Sequence, residues 1–347
     1  MKKLRIDFST LETFKSCPQK FVNEYILRLS PLGSGDAVAL NFGDLIHFAT
    51  ELLGLAAVPS LPPIEECYAE IEYLSSNQPP LIDAAGQPLE QLRDKPLLIQ
   101  VLHATAAYAA QKGFPLCAYN SDERRSLKHA LLLLTRYAFH YYPESIKYQT
   151  FEQSVEYPLG IIDGVEVTYC GTVDGTTEDS MIERKTTSYL NSNFLERVNP
   201  SDQVTGYLWL FDKLYPEKKI RKTIFDGIST GGYGKSFGAA TSQPARWTIN
   251  TKPETLFLRT ETYRSDQQLI DWEVRTRATI SRVIATINAH QAGSLIERRA
   301  PSACTEYNST CKFISLCRSS TQDTERDLRG VAFVRQEDWK NFKVSNE

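Results

Sequence analysis

Two carboxylates and a lysine stand close together near the middle of this chain: Asp174, then Glu183 and Lys185 within Glu183-Arg184-Lys185. Carboxylate oxygens are hard ligands that suit Mg²⁺ or Mn²⁺. A lysine beside such an ion can orient an attacking water or stabilise charge that develops on a phosphoryl group. Asp44, His47 and Glu51 are spaced three and four apart, so a helix would present them on one face. His47 and Glu51 can then add ligands if that helix lies against the carboxylates. Asp, Glu and Lys at this spacing also occur in ordinary solvated turns, so the elements that carry them decide between the two readings.

A second constellation is made of sulfur. Of seven cysteines, Cys17 stands alone near the N-terminus, while Cys304, Cys311 and Cys317 form a group nearly 300 residues later. Cys67, Cys117 and Cys170 sit in apolar surroundings and read as small core residues. Thiolates are soft ligands that suit an iron–sulfur cluster or zinc. A ligand set spanning the chain would tie its two ends together.

The elements that must position these groups follow from periodicity. Ser9 and Glu12 fit a capping box, opening a helix that runs to about Leu29 with a break near Cys17-Pro18. A second helix is expected over Gly43–Leu55. Residues 57–95 are rich in proline, with a short helix around Ile64–Leu74, and two longer helical patterns follow over about 97–112 and 121–142. Strand Phe151–Ile162 meets Asp163-Gly164, a strong two-residue hairpin signal, and returns as Val165–Val173. A polar turn leads into Met181–Thr187, completing an antiparallel meander. A helix over Ser201–Leu214, strands at Lys222–Ser229, Ala245–Asn250 and Leu256–Tyr263, and a long helix over Asp266–Ala292 complete the pattern. The order argues an α/β core. It places Asp174 at the end of one strand and puts Glu183 and Lys185 on one face of the next.

With the motifs on their elements, the chain resembles the PD-(D/E)XK nuclease superfamily, and within it RecB-like exonucleases, which include AddB-type and CRISPR-associated members. Phe42-Gly43-Asp44-Leu45-Ile46-His47 resembles that family's G-x-x-x-H helix motif, Gly171–Asp174 its second motif, and Glu183-Arg184-Lys185 its (D/E)-x-K motif. Gln203-Val204-Thr205-Gly206-Tyr207 matches its Q-x-x-x-Y motif. The resemblance implies a restriction-endonuclease-like core, a mixed sheet flanked by helices. It implies His47, Asp174 and Glu183 as metal ligands, Lys185 as the catalytic lysine, and Gln203 and Tyr207 as substrate-positioning residues. The flanks of Cys17 and Cys311–Cys317 resemble the iron–sulfur subset of the family. There, one upstream and three downstream cysteines hold a [4Fe–4S] cluster that staples the domain. This chain departs from the subset in having six residues between Cys304 and Cys311, where two are usual; a structural Zn²⁺ site is the chemical alternative.

The chain then divides into N-terminal helices (1–56), a helical insertion (57–145), the nuclease core (146–290), the three-cysteine segment (291–325) and a charged tail (326–347). Composition sets the outer limits. With 347 residues, 41% hydrophobic and 23% charged, the chain can bury a sizeable core. No run of about 18 apolar residues points to a membrane span, and polar residues interrupt the start where a signal peptide would be apolar. The expected compartment is therefore the reducing cytoplasm. A net charge of −3 supplies no global attraction to nucleic acid. DNA contact would rest on local patches such as Lys218-Lys219-Ile220-Arg221-Lys222 or Arg275, Arg277 and Arg282, which also read as solvated helix faces. Gly231–Ser236 ends like a P-loop but has Ser229 where a glycine is needed. The expectation is an Mg²⁺- or Mn²⁺-dependent exonuclease acting on single-stranded DNA ends, in recombination, repair or CRISPR adaptation. The alternative is a non-catalytic DNA-binding or scaffold module that keeps the fold and cluster.

Overall fold

The computed structural model describes residues 2–32, 38–54, 71, 96–112, 126–141, 146–187, 190, 194, 196, 200–230, 256–297, 304–305, 310–319, 322–336, 339 and 341–346. The strand expected over 245–250, the loop over 231–236, Cys67, Cys117 and all but Ile71 of the helix expected over 64–74 lie outside these residues.

The chain opens on a strand that periodicity did not suggest, β1 (Lys2–Asp7), where Leu4 and Ile6 alternate inward between outward lysines and arginine. Asp7, and not Ser9, caps α1 (Phe8–Ser16), accepting from the Thr10 amide at 2.9 Å. Glu12 pairs with Lys15 at 2.7 Å and takes no part in a capping box. The expected break falls at Cys17-Pro18, where Cys17 ends α1 and Pro18 starts α2 (Pro18–Phe21). The helix stops short of Leu29, and a π-helical turn over Val22–Ile26 leads into β2 (Leu29–Pro31).

Next come α3 (Val38–Gly54) and, from the insertion, α4 (Pro96–Gln111) and α5 (Leu127–His140). The hairpin follows as β3 (Thr150–Ile162) and β4 (Val165–Thr176), then β5 (Ser180–Thr187). Positive φ at Asp163 (48°) and Gly164 (76°) makes the primed turn that matches strand twist. After α6 (Asp202–Leu214) come β6 (Lys222–Ser229), β7 (Phe257–Tyr263) and α7 (Asp266–Gln291). The segment expected as a charged tail takes part in the fold. Beyond α8 (Ile314–Arg318), α9 (Gln322–Ala332) leads to β8 (Phe333–Arg335), which pairs with β2, and then to β9 (Lys343–Asn346), which pairs with β1.

The main sheet runs β7-β6-β5-β4-β1-β9, with β3 also on β4. It is mixed: β1–β4 and β5–β6 are parallel, the other pairs antiparallel. Beginning at Val165 and ending at Thr176, β3 covers one edge of β4 from end to end. The other edge is therefore shared. β1 takes Glu166–Cys170, β5 takes only Gly175 and Thr176, and Gly171–Asp174 fall in the gap between them. One core lies under α1, α6 and α7, with Val167, Tyr169, Val173 and Met181 from the strands. A second lies under α3, α4 and α5, with Ile228 and Phe257. Among the described residues no helix is long and apolar enough to cross a membrane.

One irregularity sets the register. Near the turn, Ile162 pairs with Val165 and Gly160 with Val167, but beyond Leu159 the pairing shifts by one, so Pro158 faces Thr168. Gly160 has φ +85°, the left-handed glycine of a β-bulge.

Candidate metal centre and catalytic site

The fork between β4 and β5 is where the sequence motifs meet. As the strands part, the Asp174 side chain replaces a ladder bond: its Oδ2 accepts from the Arg184 amide at 2.6 Å. Helix α3 lies close over this point because Gly43 has no side chain; an added Cβ would stand 3.2 Å from Thr186 Oγ1. The approach carries His47 Nδ1 to 3.5 Å from Asp174 Oδ1, and these side chains are 21% and 14% exposed, respectively. Both are thus ordered by packing yet open to an arriving ion.

A third group joins them that sequence reasoning missed. Ligand atoms of His47, Glu152 and Asp174 all lie within 4.8 Å of one another. An unbroken hairpin through Asp163-Gly164 would place Gln153 opposite Asp174. The bulge at Leu159–Gly160 shifts the register, so Phe151 faces Gly175, Gln153 faces Val173, and Glu152 stands across from Asp174. Gly160 was the available signal, since glycine inside a strand pattern marks a bulge.

Glu183 and Lys185 form a separate pair. Glu183 Oε1 stands 2.6 Å from Lys185 Nζ, with the carboxylate side chain 2% and the lysine side chain 41% exposed. Strand alternation directs them away from Arg184, towards the α6 side of the sheet. Among the described residues, Glu183 is not part of the close three-residue group. Its charge is still felt across the fork. Burial pushes the Glu183 carboxyl up, against the pull of Lys185, and Asp174 pushes it further. Burial works against the Lys185 ammonium, but Glu183 and Asp174 outweigh it and raise its pKa. Burial would also raise Asp174, yet His47, Lys185 and the Arg184 amide hold it below the ordinary value.

Gln203 and Tyr207 meet as their i, i+4 spacing requires, with Gln203 Nε2 donating to the Tyr207 hydroxyl at 3.2 Å. The Tyr207 ring lies on Gly171, where any Cβ would come within 2.4 Å of Cε1, which explains the glycine of that motif. Burial and then Glu183 raise the Tyr207 pKa, so the phenol stays a hydrogen-bond donor. Glu51 lies near the trio but outside it; burial, then the charge of Glu152, raises its pKa. Asp44, one turn before His47, is exposed.

The basic runs have local partners. Arg221 pairs with Asp212 at 2.5 Å and Asp266 at 2.7 Å, Lys222 with Asp179 at 2.9 Å, and Arg275 with Asp202 at 3.5 Å. Arg277 donates to the Leu159 carbonyl, and Arg282 lies over the Phe14 ring. Cys170 is buried in the core, and His129 of α5 is buried and stacked on Phe42 at 5.7 Å.

The four remaining cysteines belong to the N- and C-terminal segments of the chain. Cys17 joins α1 to α2, the Cys311 amide donates to the Cys304 carbonyl at 2.7 Å, and Cys317 is in α8. Lys312 pairs with Glu24 of the π-helical turn at 2.8 Å. All four are half-buried. Among the described residues no three of them gather their sulfurs within 4.8 Å.

A forked mixed sheet flanked by helices thus carries an imidazole, carboxylates and a lysine at the fork, a donor set that could hold a metal ion. The family model of the PD-(D/E)XK nuclease superfamily matches residues 5–318, and the chain belongs to that superfamily. Its members generally hydrolyse phosphodiester bonds and use divalent metal ions. No curated protein matches the chain.

Proposed function

We propose that this chain is an Mg²⁺- or Mn²⁺-dependent deoxyribonuclease that acts as an exonuclease on single-stranded DNA ends, in recombination, repair or CRISPR adaptation. The observation that carries the reading is the approach of His47 and Glu152 to Asp174 at the fork, beside the Glu183–Lys185 pair. A donor set of one imidazole and two carboxylates fits a hard divalent ion. His47, Asp174 and Glu183 are assigned as its ligands. The bound ion supplies Lewis-acid polarisation of a phosphate oxygen and a more acidic water. Lys185, anchored by Glu183 and 41% exposed, orients the attacking water and places positive charge at the scissile phosphate. Tyr207, fixed by Gln203 and seated on Gly171, donates a hydrogen bond to the substrate backbone at the edge of the site. The exonuclease and single-strand assignments rest on the RecB-like pattern of the motifs.

The deciding experiment is digestion of end-labelled single-stranded DNA with Mn²⁺ by wild type and by Lys185→Ala. Loss of a positioned charge at the phosphate predicts a rate drop of about 10²–10³-fold or more. Equal rates, or no cleavage by the wild type with either metal, would leave a DNA-binding scaffold as the better description.

Cys17, Cys304, Cys311 and Cys317 are assigned to a [4Fe–4S] cluster, with zinc as the alternative. Support comes from the resemblance of their flanks to the iron–sulfur subset and from the Lys312–Glu24 ion pair that joins the two segments carrying them. Anaerobically purified protein should be brown and absorb near ~400 nm, through charge transfer from thiolate and sulfide to iron. Colourless protein carrying stoichiometric zinc would replace iron–sulfur by zinc in this assignment.

A further inference from the structure

We infer that Glu152 is a ligand of the metal ion and that the Leu159–Gly160 bulge exists in this fold to deliver it; the inference rests on the metal-dependent reading above. Three observations support it. Glu152 stands opposite Asp174 between the Phe151–Gly175 and Gln153–Val173 pairs, and their carboxylate oxygens come within 4.8 Å, where like charges are destabilising. His47 completes the group from α3, with ligand atoms of all three within 4.8 Å.

The second observation is the backbone. Glu152 has φ +44° inside a strand, and the ladder omits the Glu152–Asp174 pair while keeping the pairs on both sides. Glycine, asparagine and aspartate are the residues that visit this region readily, and glutamate gains nothing from it. Glu152 is exposed, and solvation alone accounts for neither this conformation nor the carboxylate opposite. An ion shared between them explains both.

The third is register. Without the bulge, neutral Gln153 would occupy this position, and the trio would lose a charged donor. The left-handed Gly160 meets nothing within 4 Å of an added Cβ, so no packing contact requires glycine there. Its conformation is what the position demands.

The test compares apo wild type, Glu152→Gln and Glu152→Gly by Mn²⁺ titration calorimetry and by melting with and without Mn²⁺. Glycine suits the left-handed backbone, so this variant guards against misfolding. Removing a charged ligand should weaken Mn²⁺ binding by about tenfold or more. Meanwhile the apo melting temperature should stay level or rise, because the facing charge on Asp174 is relieved. The Mn²⁺-dependent rise in melting temperature should shrink in both variants. Glu156→Gln, on the same strand and paired with Arg5 at 2.9 Å, should leave Mn²⁺ affinity unchanged. If wild type and both Glu152 variants bind Mn²⁺ equally, Glu152 is not a ligand and the metal reading stands without it. If the wild type itself does not bind Mn²⁺, both fall together.

Discussion

Two polar clusters lie beside strand β5, and their charge balance is opposite. Around Arg184, which is 1% exposed, the buried Asp226 carboxylate stands between two guanidiniums, 3.5 Å from Arg184 and 3.4 Å from Arg259. Tyr137 donates to the same carboxylate and accepts from Arg259 at 2.7 Å, while Tyr148 accepts from Arg184 at 3.1 Å. At the fork, two carboxylates face one imidazole, and the neighbouring lysine is already engaged by Glu183. The first cluster carries its own counter-charges. The second leaves a carboxylate excess, with Asp174 14% exposed and Glu152 exposed, and its backbone is left-handed at Glu152. Burial of charge is tolerated where partners are built in, and the excess at the fork is what the proposed cation would offset. On β5, Arg184 joins the counter-charged cluster, while Glu183 and Lys185 pair with each other on the opposite face.

The sharpest way to break this comparison is to remove one acid from each cluster. Asp226→Ala removes the carboxylate that Arg184 and Arg259 share in the interior and should cost about 3–5 kcal/mol, read as a lower urea midpoint. Asp174→Asn should act differently. Asparagine can still accept from the Arg184 amide, but the attraction of His47 and Lys185 that holds the Asp174 pKa down is lost. A loss of folding stability well below that of Asp226→Ala is therefore expected, while Mn²⁺ binding and cleavage are lost. If Asp174→Asn is as destabilising as Asp226→Ala, the two clusters are both structural and the distinction collapses.

The sequence made one of these clusters visible and concealed most of the other. Asp174, Glu183, Lys185, Gln203 and Tyr207 were legible because each lies on an element whose period or turn signal is strong: an Asp-Gly hairpin, a short strand, a capped helix. His47 was legible from helical spacing alone. Glu152 was not, because its role depends on a one-residue shift in register that no local pattern states. Arg184 was quoted only as the residue between Glu183 and Lys185. Asp226, Arg259 and Tyr137 come from β6, β7 and α5, and only the tertiary fold brings them together. The terminal strands were hidden for a different reason. β1 offers only Leu4 and Ile6 among charges, and β8 and β9 span Phe333–Arg335 and Lys343–Asn346, too short for periodicity to register. Their pairing with β2 and β1, together with Phe21, Tyr25, Trp339 and Phe342 in mutual ring contact, joins the chain ends through protein contacts alone. A metal cluster on the cysteines would reinforce a closure that already exists.

A smaller effect is expected at the bulge, and it separates the two clusters again. Gly160→Ala puts a Cβ into open space at φ +85°, so its effect comes from the backbone and should be about 1 kcal/mol of stability. The strain has two outlets. The chain can bear it, or β3 can slide by one residue and erase the bulge, which would bring Gln153 opposite Asp174. Sliding would also turn buried Val155 and its strand neighbours to the other face, a cost spread along the whole ladder. The chain is therefore expected to bear the strain. Urea unfolding should show the small loss, and the Mn²⁺ dissociation constant should match that of the wild type. A small loss accompanied by much weaker Mn²⁺ binding would mean that the register did slip, and that the fork depends on this glycine while the Arg184 cluster, on β5, β6 and β7, does not.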